Sequence, residues 1–393
     1  MSYKYPYKGI RVLDVSQGFA GPYVGGMLSL YGASVIKVEP PEGDWIRIIG
    51  RAFGGNTPLG VVANRGKRSI AINLKTDAGL ALVHQMAETA DVFLESFRPG
   101  VAARLSIAYP DIKKINPRII YLSVSGFGQD GPESGRPATD TVIQANSGFM
   151  SVNEGMDGVP HKAGVLIADT STGIYGFQAV AAALFARQHE SEGLHLDVSL
   201  MQSTAAFVAP KVVEYHLEDG APRLLNAPAG SYRTKDGWLA VTLVKEHHFE
   251  KLCQAIDQGA LIDDPRFANF DTRAEHIDVL KALIGETLLS KTTDEWVEIL
   301  TKHEVLCSPI GDFGDWLADP QAVATHAAPV IDQPGMGPIP IPAIPGTNPD
   351  TDVESQPVAP SIGEHGRDIL SEFGFDDDRV ASLVRDGAVS LPA

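Results

Sequence analysis

The chain has 393 residues, 44% hydrophobic and 21% charged, with 39 glycines and 27 prolines: a loop-rich globular composition, long enough for two domains. A net charge of −17 argues against nucleic acid and anionic membranes as partners, and no apolar run approaches the roughly eighteen residues of a membrane span. Two cysteines, Cys253 and Cys307, make no disulfide framework or metal-ligand spacing, and MSYKYPYKGIRVLDV lacks the apolar core of a secretory signal, so a cytoplasmic location is expected.

In chain order, residues 9–120 alternate strands with helical patterns, which predicts an α/β fold with a parallel sheet. The strands are Arg11–Val15, Ser34–Glu39, Ser69–Asn73, Val92–Glu95 and Ile119–Val124. Tyr23–Tyr31 and Gly79–Glu88 read as helices, the first ended by Gly32 and the second capped by Asp77. From 126 to 168 the chain turns to Gly, Pro, Asp and Ser, predicting loops over a site. A small-residue helix then starts at Asp169, its Gly173, Gly176 and Ala179–Ala183 inviting close approach of another backbone, and LHLDVSLMQST continues as a strand and a helix. Composition shifts at Ala221–Gly230, a domain boundary. YRTKDGWLAVTLV is a hairpin, followed by helices at 246–257, 274–289 and 293–303, a small α+β unit. The Pro-rich 334–350 is expected to cross the surface extended, and two short helices with an acidic turn close the chain.

Charge is unevenly spread. Residues 1–120 hold 15 Lys+Arg and 9 Asp+Glu, a net +6, against −23 for the rest. A basic segment in an acidic protein suits an anionic small ligand, or is a solvated face. Gly18, Gly21, Gly25 and Gly26 follow the first strand, but their spacing is not G-x-G-x-x-G and Pro22 removes a donor, so neither a nicotinamide nor a flavin is expected. Lys67, Arg68, Lys75, Arg98 and Arg104 fall near strand ends, where arginine forks suit phosphate. Asp169 before an apolar helix is either an N-cap or a nucleophile, and the two roles compete for the same oxygens. No H-E-x-x-H, C-x-x-C or G-x-S-x-G occurs, so neither a metal nor a serine hydrolase is expected.

Several ordered runs resemble the family III CoA-transferases, the group of formyl-CoA and carnitine CoA-transferases. They are GIRVLDVS with AGP at 20–22, GASVIKVEPPEGD at 32–44, NRGKRSIAINLK at 64–75, FRPG at 97–100, INPRIIY at 115–121, SGFGQDGP at 125–132 and ADTSTG at 168–173, followed by LCSPI, LADPQ and GEH. The resemblance implies a nucleophilic Asp169 and coenzyme A contacts at Phe19, Ala20, Asn73, Leu74, Lys75, Phe97, Arg98 and Arg104. It places Arg136–Thr139, with Arg136, Ala138 and Thr139, along the pantetheine end. It further implies a Rossmann-like large domain (1–220, completed by the return crossing and C-terminal helices of 331–393), a small domain at 221–330, and an interlocked-ring homodimer.

The implied activity moves coenzyme A from an acyl-CoA donor to a carboxylic acid through an aspartyl anhydride and an aspartyl-CoA thioester. Two rivals are an α-methylacyl-CoA racemase of the same fold and a catalytically silent acyl-CoA-binding protein. Racemases of this fold carry a His where this chain reads Ala138-Thr139-Asp140 and a G-D-F-G-G-G-like run in place of ADTSTG, which favours transfer. Thr139 stands where many transferases have Tyr, and the long glycine loop of formyl-CoA transferases has no counterpart beyond APAGS at 227–231. Formate and oxalate are therefore not expected as the acids, and a larger acyl group has room.

Overall fold

The computed structural model describes residues 5–155, 158–221, 224–347 and 356–392. The chain divides into two compact units, Met1–Ala209 with His326–Ala393, and Pro210–Thr325.

The first unit is built on β1 (Arg11–Asp14), α1 (Ala20–Leu30), β2 (Ser34–Glu39), α2 (Pro58–Asn64), β3 (Arg68–Ile72), α3 (Asp77–Ala87), β4 (Val92–Glu95), α4 (Val101–Arg104), α5 (Tyr109–Ile115), β5 (Ile120–Ser125), α6 (Asp140–Asn146), α7 (Ile167–Ala186), β6 (Leu194–Ser199) and α8 (Leu200–Phe207). Its sheet runs β3-β2-β1-β4-β5-β6, all parallel, and a two-residue strand, Val389–Ser390, adds antiparallel to β3. The inner strands are apolar on both faces because helices cover both. Leu13, Ile36, Ile70, Phe93 and Tyr121 face a cluster with Leu82, Met86 and Ile112. Val12, Val35, Leu94, Ile120 and Leu122 face one with Val24, Leu28, Val180 and Leu184. Strand order reverses between β1 and β4, which opens a crevice at their carboxyl ends.

Small residues bring α7 against α1. A Cβ added at Gly176 would stand 2.8 Å from Val24 Cγ2, and one at Gly173 2.6 Å from Tyr23 Cδ1. Substitution there would push the helices apart.

The second unit has a three-stranded antiparallel sheet, Gly230–Arg233, Trp238–Thr242 and Leu306–Pro309. Its core holds Leu239, Val241, Phe249, Leu252, Ile284, Trp296 and Leu300. The buried Arg273 guanidinium lies over the Phe249 and Phe270 rings and pairs with Glu246.

The structure corrects several sequence expectations. Thr76, not Asp77, caps α3, its hydroxyl accepting the Gly79 amide at 3.1 Å. The segment 126–168 is not all loop, since it holds α6 and a 3-10 turn at Phe149–Val152. The helix expected over 274–289 is broken at His276 into Phe270–Glu275 and Ile277–Leu288. The Pro-rich stretch is extended at Gly337–Pro340, as expected, and there it also pairs with Val330–Gln333 as a hairpin, while 348–350 lie outside the described residues.

Candidate active site

Two clefts open at the β1/β4 crevice, both within the first unit. The larger, about 410 Å³, is lined by Val38, Glu39, Pro40, Pro41, Glu42, Ile72, Asn73, Leu74, Lys75 and Leu105 among others. The smaller, about 210 Å³, holds Phe19, Ala20, Arg98, Gly126, Arg136, Ala138, Thr139 and Asp169. Gln17, Trp45 and Phe97 line both, so the two clefts are neighbours along one path.

Asp169 is the third residue of α7, and its carboxylate does not cap the helix. Leu166 occupies the cap position without a side-chain bond. The cap is supplied from α6: Asp140 Oδ2 accepts the amides of Ala168 (2.8 Å) and Asp169 (3.2 Å). Its other oxygen accepts from Gln144, whose Oε1 takes the Ala163 amide at 2.8 Å. Among the described residues no hydrogen bond reaches the Asp169 side chain. That carboxyl is half-buried, and desolvation, helped by the negative charge of Asp140, pushes it up to about 7. A carboxylate freed of capping and open to a cleft has the chemistry of a nucleophile once it is ionised.

The loops around it are held by buried charge. Lys37 Nζ, at the end of β2, bonds the Ser16 carbonyl and pairs with Asp44 at 3.0 Å. Asp44 Oδ1 accepts the amides of Gly18 (3.0 Å) and Ile46 (3.1 Å). Asp14 accepts the Ser16 amide and pairs with Lys67 at 2.7 Å, and Glu39 receives Arg47 through two 2.7 Å bonds. This cluster fixes Gln17 on one side and Trp45 on the other. Ser96 ties the next loop to it, accepting the Gln17 amide and donating to the Gln17 carbonyl, both at 2.8 Å.

Of the residues singled out from sequence, Phe19, Ala20, Phe97, Arg98, Arg136, Ala138 and Thr139 share the smaller cleft with Asp169. Asn73, Leu74 and Lys75 join Phe97 in the larger. Arg104 is exposed at the end of α4 and lines neither. The basic cluster is less available than its composition suggests. Lys67 is buried, its Nζ taken by Asp14, the Pro22 carbonyl and Asn64, and Arg68 pairs with Glu372. Asp140, Gln17, Trp45 and Ser96 escaped the sequence reading. An acid right after Thr139, opening a short apolar pattern, was a usable signal for Asp140. The others had none.

A family model for CoA-transferase family III matches residues 7–366. The succinate–glutarate CoA-transferase of Agrobacterium fabrum is 35% identical over 94% of this chain and 96% of its own. The acetyl-CoA:oxalate CoA-transferase of Acetobacter aceti is 34% identical, with the same coverage. A crystal structure of a CAIB/BAIF family protein from Brucella suis superposes with a TM-score of 0.83 at 33% identity, covering 94% of this chain and all of that one. The chain therefore belongs to CoA-transferase family III, enzymes that transfer coenzyme A from an acyl-CoA to a carboxylic acid.

Proposed function

We propose that Asp169 is the nucleophile of a covalent relay and that the paired clefts hold one acyl-CoA. The nucleotide end takes the larger cleft, near Asn73 and Lys75, and the thioester enters the smaller one past Gln17, Trp45 and Phe97. The Asp169 carboxylate attacks the thioester carbonyl, the C–S bond breaks, and CoA thiolate leaves behind an acyl-aspartyl anhydride. The thiolate attacks the aspartyl carbonyl, releasing the donor acid and forming an aspartyl-CoA thioester. The acceptor carboxylate displaces thiolate from that thioester, and the returning thiolate takes the new acyl group, restoring Asp169. One thioester replaces another, so no nucleotide hydrolysis is needed. Main-chain amides at Ala20 and Gly21, in the uncapped first turn of α1, are placed along the cleft to steady the tetrahedral oxyanion, roughly 3 kcal/mol per well-aimed donor.

The observation that carries this reading is that, among the described residues, no hydrogen bond reaches the Asp169 carboxylate while Asp140 caps its helix. Incubation with acyl-CoA and hydroxylamine tests it: mass spectrometry finds a hydroxamate on Asp169, and an unmodified Asp169 with turnover intact defeats the assignment.

The acid pair we assign to short dicarboxylates. The two relatives above are named for succinate, glutarate and oxalate, and Arg98 and Arg136 line the Asp169 cleft, so a second carboxylate has a cation to meet. The missing aromatic at Thr139 favours the longer of these. A panel of carboxylates against succinyl-CoA, with oxalate included, decides it. Monocarboxylates accepted as readily as dicarboxylates would remove the arginines from the argument.

The working form we propose is a homodimer. The first unit leaves Ile174 and Phe185 on α7 and Phe207 on α8 exposed, and the second leaves Val212, Val213, Tyr215 and Leu217 exposed. Apolar surface of that extent is usually covered by a partner. A monomer by light scattering at micromolar concentration would contradict this.

A further inference from the structure

Glu95 ends β4 immediately before the cleft-lining segment Ser96–Pro99, and the chemistry above gives it no task. Only 3% of it is exposed. Its Oε2 accepts the Phe97 amide at 2.8 Å, closing a tight turn that carries Phe97 and Arg98 into the cleft. Parallel register sets Glu95 beside Ser123 of β5, and Ser123 beside Asp197 of β6. The Ser123 hydroxyl donates to the Glu95 carboxylate, and its oxygen lies 2.9 Å from His195 Nε2. Three groups on three adjacent strands thus run from a buried carboxyl to an imidazole at the exposed sheet edge.

We propose that Glu95 is a positioning residue for the acyl-CoA cleft: its ionised carboxylate grips the Phe97 amide, setting Phe97 and Arg98, and protonation loosens that grip and weakens coenzyme A binding. A hydroxyl has one proton to give. While Glu95 is ionised, Ser123 donates to it and accepts from His195 Nε2–H. When Glu95 takes up a proton, Ser123 is released to donate to His195 Nε2 in the tautomer that carries its proton on Nδ1. A charge-assisted bond is roughly twice as strong as a neutral one, so the Phe97 turn is tighter in the ionised state.

The surroundings set where the change falls. Burial, the largest cause, raises Glu95 to about 7, with Asp197 adding to the rise and the Ser123 and Phe97 donors opposing it. His195 is held below its ordinary value by burial, against the pull of Asp197 and Asp130. Tyr121, on the neighbouring strand, donates to the Ile107 carbonyl, and burial, Glu95 and Asp111 keep its phenol protonated. Glu95 is therefore the group in this row that changes charge around neutrality with a direct bond to a cleft loop.

The inference rests on reading the two clefts as the acyl-CoA site, so the test separates the two claims. Coenzyme A affinity is measured by titration calorimetry from pH 6 to 8.5 in Asp169→Asn, which removes the other carboxyl titrating near 7, and in Asp169→Asn/Glu95→Gln. The parent should bind about fivefold tighter at pH 8 than at pH 6, beyond any change shared with the double variant, which should sit at the weaker affinity throughout. Adding Ser123→Ala instead should move the parent's midpoint to higher pH, because the carboxylate loses a donor. Identical pH dependence with and without Glu95, or tighter binding in the Gln variant, would overturn the proposal. Unchanged affinity in Arg98→Ala would instead overturn the reading of the cleft.

Discussion

Asp14 and Asp169 are two aspartates of the same unit with opposite fates. Asp14 is the deeper, fully enclosed beneath the β1 loop, yet its carboxyl is held below its ordinary value: burial alone would raise it, and Lys67 and Lys37 outweigh burial. Asp169 is the more accessible, yet burial pushes it up to about 7, with the negative charge of Asp140 adding to the rise. Burial pushes both carboxyls the same way, and the lysine partners of Asp14 reverse the outcome there. Asp14 is a charge engaged in holding Ser16 and Lys67, whereas among the described residues no hydrogen bond engages the Asp169 side chain.

The strongest way to break the comparison is Asp169→Ala. If the unpartnered carboxylate is the nucleophile, transfer falls by at least ~10³-fold while CoA binding persists. Steady-state turnover and calorimetry together read this, and retained turnover would make the two aspartates alike after all. On the other side, Lys67→Met should destabilise the protein by about 3–5 kcal/mol, since it leaves the Asp14 charge buried without its nearest partner. Denaturant melts measure the loss. A nearly unchanged midpoint would mean that Lys37 alone suffices.

Asp140→Asn sharpens the contrast by removing the charge, at the cost of the bond that Asp140 accepts from Gln144. The amide oxygen can still accept the Ala168 amide, but the negative charge that lifts Asp169 is gone. In the parent the acid limb of the rate profile should fall as pH drops through about 7, because the protonated carboxyl is not a nucleophile. In the variant that limb should move about one unit lower, desolvation still keeping it above an ordinary aspartate. An unmoved limb would show that Asp140 acts on Asp169 only through the helix cap.

The sheet was legible in the sequence because inner parallel strands are apolar on both faces: Ser34–Glu39 and Val92–Glu95 were bounded as found. The loops were less so. Asp169 was visible as a reactive or capping residue, but its release from capping depends on Asp140, twenty-nine positions away, and no local pattern encodes that pairing. Lys67 and Arg68 show the converse error. Their types suit an anionic ligand, but the fold spends them on Asp14 and Glu372, and only three-dimensional proximity shows it. Thr76 and Asp77 are both plausible caps, and the choice falls to the one whose extended backbone lets its side chain reach Gly79.

The smallest expected effect is also the one in which the two aspartates should oppose each other as pH changes. For Asp14, whose folded value is lowered, the contribution to stability is present above the unfolded carboxylate range and is lost as pH falls. For Asp169 the sign reverses. Its folded value of about 7 exceeds the unfolded one, so the folded state binds the proton more tightly, and stability contributed below about 4 is lost as pH rises through 7. Asp169→Asn removes that loss. The variant should therefore be more stable than the parent by about 1–3 kcal/mol at pH 8, a figure reduced for partial solvent access, and equal to it near pH 4. Guanidinium melts at the two pH values measure the difference of differences, which cancels any fixed cost of the amide. A gap that is the same at both would mean that Asp169 ionises as easily as an exposed aspartate, and the tension assigned to the nucleophile would not exist.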